Sequence, residues 1–84
     1  MFLSLKNIKN KIADYLLHHL SSPDTSTVKL SDTQQEIADR FGVTRPSLAR
    51  AFAEMEQEGI ISINRKTITI NRMQQLRQNG KITQ

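Results

Sequence analysis

The sequence predicts a mainly α-helical fold with a small β-hairpin, and three observations support this prediction. Residues 33–58 have the pattern of two short amphipathic helices that meet at Gly42. Residues 60–70 (IISINRKTITI) place β-branched residues on both sides of a short polar turn, which is typical of a hairpin. Residues 5–20 carry apolar side chains at helical spacing. Three helices followed by a hairpin form a winged helix-turn-helix, a three-helix core plus a wing.

Length and composition limit the chain to one small domain. Its 84 residues are 37% hydrophobic and 5% aromatic, enough for a single core built from Ile and Leu. The absence of cysteine excludes disulfides and thiolate metal sites. No apolar run approaches the roughly 18 residues of a membrane span, and MFLSL is too short for a signal peptide, so we expect a cytoplasmic protein without a membrane partner. The net charge of +4 permits a polyanionic partner without identifying it.

The first predicted element is an amphipathic helix over residues 5–20. For residues 1–3 two readings stay open, an exposed remnant of a longer helix or a small dimer contact. Residues 21–26 carry turn chemistry with Pro23, and residues 27–31 alternate as a short strand with Val28 and Leu30 inward. The apolar stripe of this helix consists of Leu5, Ile8, Ile12, Leu16 and Leu20. The rings of Tyr15 and His19 flank the stripe. The outer face, which we expect to be solvated, carries Lys6, Lys9 and Lys11.

The helix-turn-helix is predicted from several independent local signals. Thr33 and Glu36 fit a capping box at the start of its first helix. Gly42 suits a left-handed residue that ends this helix, and Thr44 caps the next, where Pro46 is tolerated in the first turn. The apolar positions that define the buried face are Ile37, Ala38, Phe41, Val43, Leu48, Ala51, Phe52 and Met55.

The remaining elements complete one domain over residues 1–78. Gly59 ends the second helix of the motif. The hairpin turn at residues 64–66 lacks the favoured Asn-Gly pair, which leaves its register open. Asn71 is placed to cap a last short helix over residues 72–77, and residues 79–84 have no pattern, so we expect a disordered tail.

The second helix of the motif has a surface suited to DNA. In helix-turn-helix proteins the start and outer face of this helix enter the major groove, where arginine can pair with guanine. Hydroxyls and the backbone N–H groups at the helix start suit phosphate. Small alanines let the backbone approach, and the first helix and the wing tip flank the site. The predicted DNA-binding residues are Gln34, Gln35, Thr44, Arg45, Pro46, Ser47, Ala49, Arg50, Arg65 and Lys66.

The stretch QEIADRFGVTRPSLARAFAEMEQEGIISINRKTITI resembles the C-terminal DNA-binding domain of the Crp/Fnr family of bacterial transcription regulators, with the likeness extending over about residues 5–76. The resemblance implies that Arg45 and Arg50 read guanines or contact phosphates in the major groove. Three positions depart from the family pattern. Ala51 is smaller than the branched residue expected there. Pro46 stands where a glutamate often accepts from cytosine, and Asp32 stands where a hydrophobic residue is usual.

The same resemblance predicts the partners. It implies double-stranded DNA, with RNA polymerase as a further candidate, and a homodimer only with a longer N-terminal dimerisation region. The family's sensory barrel has no counterpart in these residues, so we expect no cofactor. An excised domain and a naturally minimal protein both stay open.

Two other classes of function are alternatives to DNA binding. A winged helix can serve as a protein-interaction module without DNA binding, but such a module tends to lose the arginines retained here at Arg45 and Arg50. An enzyme is not expected, because the sequence offers no nucleophile–base pair, metal set or phosphate loop. His18 and His19 are adjacent on a helix and do not face one metal site, so we expect no bound metal.

Overall fold

The computed structural model describes residues 5–20 and 25–80, and within them it contains four helices and a three-stranded antiparallel sheet. The predicted fold class, a winged helix-turn-helix, is confirmed. The elements are α1 Leu5–His18, β1 Thr27–Lys29, α2 Gln34–Phe41, α3 Arg45–Gln57, β2 Ile61–Asn64, β3 Thr67–Ile70 and α4 Met73–Gly80.

The core lies between α1 and the rest of the domain. The stripe predicted on α1 is buried at Ile8, Ile12 and Leu16, and it packs against α3 on one side and α4 on the other. Leu76 of α4 is also fully buried. The last helix is therefore part of the core, although the sequence identified it only as a short terminal element.

The helix-turn-helix is formed by the predicted caps. The backbone N–H of Glu36 donates to Thr33 Oγ1 at 3.1 Å, and that of Thr33 donates to Glu36 Oε1 at 2.8 Å, which completes the capping box. Gly42 has φ 73° and ψ 32°, the left-handed conformation predicted for it. Its N–H donates to the Asp39 carbonyl at 3.2 Å, and the N–H of Val43 donates to the Ala38 carbonyl at 3.0 Å. These bonds satisfy the last carbonyls of α2.

The sheet has the order β1-β3-β2, so β3 is its central strand. The predicted strand near residue 27 is present, with Val28 opposite Ile68 and buried. It adds a third strand to the two-stranded wing. Beyond β1, the N–H of Leu30 donates to the Lys66 carbonyl at 2.7 Å. This bond connects the segment before α2 to the wing tip.

The wing turn contains two residues. Asn64 pairs with Thr67, which leaves Arg65 and Lys66 as the loop and settles the register that the sequence left open. Arg65 has φ 59°, a left-handed backbone that an arginine adopts at a cost. Glycine is the usual residue in such turns, and the wing tip instead carries two cations.

The ends of the chain test the predicted boundaries only in part. α4 continues through Asn79 and Gly80, two residues that the sequence assigned to the tail. The rest of that tail, residues 81–84, lies outside the described residues. So do residues 1–4 and 21–24, which include the proposed N-terminal contact and the Pro23 turn.

Lys9 corrects the prediction of a solvated lysine face on α1. Its ammonium lies 2.8 Å from Glu54 Oε1 and 3.0 Å from Glu58 Oε2, and its side chain is only 16% exposed. The hydrogen bond to Glu54 is the main reason that the pKa of Lys9 is raised. Lys11 is exposed, as predicted, and its ammonium donates to the Phe41 carbonyl at 3.0 Å. The two lysines therefore attach α1 to the helix-turn-helix.

Replacing Lys9 with methionine is expected to lower the free energy of unfolding by roughly 1 kcal/mol, because two ion pairs are lost while both carboxylates stay half exposed to water. Lys66→Met is the matched control, since this lysine is exposed and its loss should change stability by less than about 0.5 kcal/mol. Urea denaturation of both variants measures the difference. Equal stability of the two variants would contradict a structural role for Lys9. Because the folded pKa is raised, this contribution is present below pH 10.5 and is lost as the pH rises further.

Candidate nucleic-acid interface

The start of α3 is organised by two hydroxyl groups. Thr44 is the N-cap, and its Oγ1 accepts from the backbone N–H of Ser47 at 3.3 Å and donates to Ser47 Oγ at 2.9 Å. Both residues were predicted to contact phosphate, and both also serve the cap. In this arrangement Ser47 Oγ accepts from Thr44, so its own proton remains available to donate. Pro46 lies in the first turn, where backbone N–H groups lack intrahelical partners.

The outer face of α3 lies opposite its buried face. Leu48, Ala51, Phe52 and Met55 are buried, and Pro46, Ala49, Arg50 and Ala53 are exposed on the other side. This outer face therefore presents one arginine, Arg50, among small apolar side chains. Glu54 and Glu58 at its far end pair with Lys9, and Glu56 accepts from the backbone N–H of Ile63 at 3.2 Å. Acidic charge is thus kept at the end away from the cap.

A groove of about 190 Å³ separates the start of α3 from the wing. Four of the predicted residues line it: Gln34, Arg45, Arg65 and Lys66. Its apolar floor includes Phe52, Ile63 and Ile68, and Leu30, Asp32 and Thr33 complete the lining. The structure therefore brings both helices of the motif and the wing tip to one concave surface. The other predicted residues lie outside the lining of this groove.

The cations of this surface have no internal partners in the part of the chain that the structure describes. The side chains of Arg45, Arg50, Arg65 and Lys66 make no hydrogen bond or ion pair within residues 5–20 and 25–80, and all four residues are exposed. This differs from Lys9 and Lys11, which hold α1. Gln35 also differs, because its amide donates to Asp39 Oδ1 at 2.9 Å along its own helix. Positive charge that no internal group neutralises is suited to an external anion.

Asp32 is a structural residue that sequence reasoning missed. The Tyr15 hydroxyl donates to Asp32 Oδ2 at 2.6 Å, and Arg40 Nη2 lies 3.6 Å from the same oxygen. Burial and this hydrogen bond raise the pKa of Tyr15 to about 12. The bond holds the segment before α2 against α1. A polar residue in place of the expected hydrophobic one, together with a single tyrosine beside the apolar stripe, was the available signal.

His18 and His19 both contact backbone carbonyls of α1. The Nδ1 atoms of His18 and His19 each lie 2.8 Å from the carbonyl oxygen four residues earlier, those of Asp14 and Tyr15. Residues 5–20 and 25–80 contain no group of three or more His, Cys, Asp or Glu side chains that could hold a metal ion. Nor does any helix in these ranges have the length and apolar character needed to cross a bilayer.

A capped helix with exposed arginines, a left-handed turn before it and a wing beside it define a winged helix-turn-helix domain. Residues 10–79 match the family model described as the Crp-like helix-turn-helix domain. The chain belongs to this family. The resemblance identified from GVTRPSLAR and the wing is thereby confirmed.

Known proteins with this likeness are longer than the chain. The regulatory protein HlyX of Actinobacillus pleuropneumoniae is 32% identical over 82 residues, which cover 90% of this chain and 34% of HlyX. The chain thus spans about a third of the length of this curated relative.

Solved structures share the fold. DNR from Pseudomonas aeruginosa superposes with a TM-score of 0.76 at 24% identity, covering 87% of this chain and 33% of DNR. The CO-dependent transcription factor CooA from Carboxydothermus hydrogenoformans superposes with a TM-score of 0.75 at 22% identity, covering 92% of this chain and 38% of CooA.

Proposed function

We propose that the chain binds double-stranded DNA in a sequence-specific manner, as the effector domain of a bacterial transcription regulator. The outer face of α3 enters the major groove, and the groove between α3 and the wing faces the sugar–phosphate backbone. The observation that carries this proposal is the set of four exposed cations on α3 and the wing whose side chains have no partner among the described residues. Together these cations can make the two kinds of contact that a specific DNA-binding protein makes, contacts with base edges and contacts with phosphates.

The positions of the predicted residues support separate roles. Arg50 lies on the outer face of α3, where a side chain reaches base edges. Arg45 lines the groove with Arg65 and Lys66, so we assign these three cations to phosphate, with Arg45 close enough to the helix start to reach a guanine as well. Gln34 opens α2 on the same groove and is assigned to the backbone of the DNA. Thr44, Ser47 and Gln35 complete the phosphate contacts.

One domain of this kind covers one half-site. Two half-sites about one helical turn apart require two copies of α3 in a fixed relation. We assign that relation, and any contact with RNA polymerase, to a longer chain of the kind that the curated relative has. The isolated domain is expected to bind a single half-site, and catalysis is not part of the proposed function.

The test is a selection from a pool of randomised duplexes with the full chain, followed by titration of the enriched and a scrambled duplex at several salt concentrations. We expect one motif to be enriched, and the affinity for both duplexes to fall with salt. Failure to enrich any motif would contradict sequence-specific binding. Failure to bind any duplex would instead favour the protein-interaction module.

Two variants of equal net charge distinguish DNA binding at this surface from a general electrostatic attraction between the chain and DNA. The first replaces Arg45, Arg65 and Lys66 with glutamine. The second also introduces glutamine, at Lys29, Arg72 and Arg77, which are exposed and do not line the groove. We expect the first variant to lose most of its affinity and the second to keep it. Equal losses would mean that net charge, and not this surface, attracts DNA.

A further inference from the structure

Over residues 46–53 the outermost ridge of α3 is almost free of polar groups. Pro46, Ala49, Arg50 and Ala53 are exposed. Residues three, four and seven positions after Pro46 share its side of the helix, because an α-helix has 3.6 residues per turn. Among these four side chains only that of Arg50 can form a hydrogen bond. The ridge therefore has little means of reading a base edge through donors and acceptors.

Thymine is the base that an apolar ridge can distinguish. In the major groove each base pair presents hydrogen-bonding groups, and thymine also presents its C5 methyl group. An alanine side chain can pack against that methyl group only if the helix backbone comes close to the bases. Pro46 and Ala53 are short, so neither side chain holds the backbone away from the groove floor.

We propose that Ala49 is a specificity-determining residue that reads thymine through its 5-methyl group, next to a guanine read by Arg50. This inference rests on the proposed function. Ala49 lies in the half of α3 nearer the cap, and in this geometry the N-terminal residues of the recognition helix contact base edges. Pro46 adds no donor or acceptor in the first turn. The preferred half-site is thus expected to contain a thymine within one or two base pairs of a guanine.

Deoxyuridine provides the direct test, because it differs from thymidine only in lacking the 5-methyl group. Each thymine of the selected duplex is replaced singly by deoxyuridine, and the full chain is titrated against every duplex. We expect one thymine whose replacement weakens binding about fourfold, the effect of removing one methyl group from an apolar contact. Thymines outside the selected motif serve as the control and are expected to show no change.

Two glycine variants assign the effect to Ala49. In Ala49→Gly the affinity ratio between the thymine and deoxyuridine duplexes is expected to fall to about one, because the protein methyl group is gone. Ala53→Gly carries a similar helix penalty and is expected to keep the fourfold ratio. Each variant is compared with itself on two duplexes, so a loss of helix stability cancels. If Ala49→Gly binds too weakly to titrate, the titrations are repeated at lower salt, which strengthens the binding of every variant to every duplex.

Three results would overturn the inference. Indifference of the wild-type chain to deoxyuridine at every position would do so while leaving sequence-specific binding intact. A ratio that survives in Ala49→Gly would exclude Ala49 as the reader. Failure of the chain to bind any duplex would overturn the proposed function and this inference together.

Discussion

Arg50→Ala is expected to weaken binding to the preferred duplex by about 1–3 kcal/mol while changing the affinity for unrelated DNA much less. The reason is the position of Arg50 on the outer face of α3, where it has no internal partner within the described ranges and its planar guanidinium can pair with guanine O6 and N7. Titration of the selected and scrambled duplexes measures both affinities. Arg77→Ala, which removes one exposed cation from α4, is the matched control and should leave the ratio of the two affinities unchanged.

Lys66→Ala, unlike Arg50→Ala, is expected to weaken DNA binding without changing the preference for the selected duplex. Lys66 lies in the wing turn and lines the groove, so we assign it to phosphate. Its loss should weaken the two duplexes by a similar factor and reduce the slope of log affinity against log salt by about one unit. If Arg50→Ala weakens both duplexes equally, Arg50 is also a phosphate contact and the assignment of the reading residue is wrong.

Gly42→Val is expected to destabilise the fold by more than about 1 kcal/mol, because a β-branched residue is strained at φ 73°. Outside Gly42 and its two chain neighbours, no atom lies within 4 Å of the position that a Cβ would occupy, so the cost comes from the backbone and not from a clash. A change in the angle between α2 and α3 would weaken DNA binding beyond the loss of stability. Thermal unfolding and DNA titration measure the two effects.

A series at Gly42 separates backbone strain from other causes. Asparagine tolerates the left-handed region better than alanine, and alanine better than valine, so the melting temperature should fall in the order Gly, Asn, Ala, Val. An unchanged melting temperature for Gly42→Val, or an asparagine variant less stable than the valine one, would contradict the role assigned to this turn.

Local features of the fold could be predicted because their causes lie within a few residues. The capping box joins Thr33 to Glu36, and the left-handed turn depends on Gly42 alone. The burial of Leu48, Ala51, Phe52 and Met55 follows from helical spacing. Each of these signals can be evaluated before any tertiary contact is known.

Features that depend on neighbouring elements could not be predicted. The ion pair between Lys9 and Glu58 joins residues 49 positions apart, and no local pattern distinguishes it from a solvated lysine. The same holds for the pairing of β1 with β3 and for the hydrogen bond between Tyr15 and Asp32. The groove is also of this kind: Gln34, Arg45, Arg65 and Lys66 were predicted to belong to one DNA-binding site, but the concave surface that they line depends on the packing of α2, α3 and the wing.

At Arg65 the residue that is best for stability differs from the residue that is best for DNA binding. Glycine at φ 59° would relieve strain of about 1–2 kcal/mol, a large gain for a domain of this size. It would also remove a cation from the groove beside α3. Selection for heat resistance alone should therefore favour glycine or asparagine at this position, whereas selection for retention on DNA should favour arginine. In a laboratory evolution experiment that selects only for solubility or melting temperature, we therefore expect early substitutions in the wing turn.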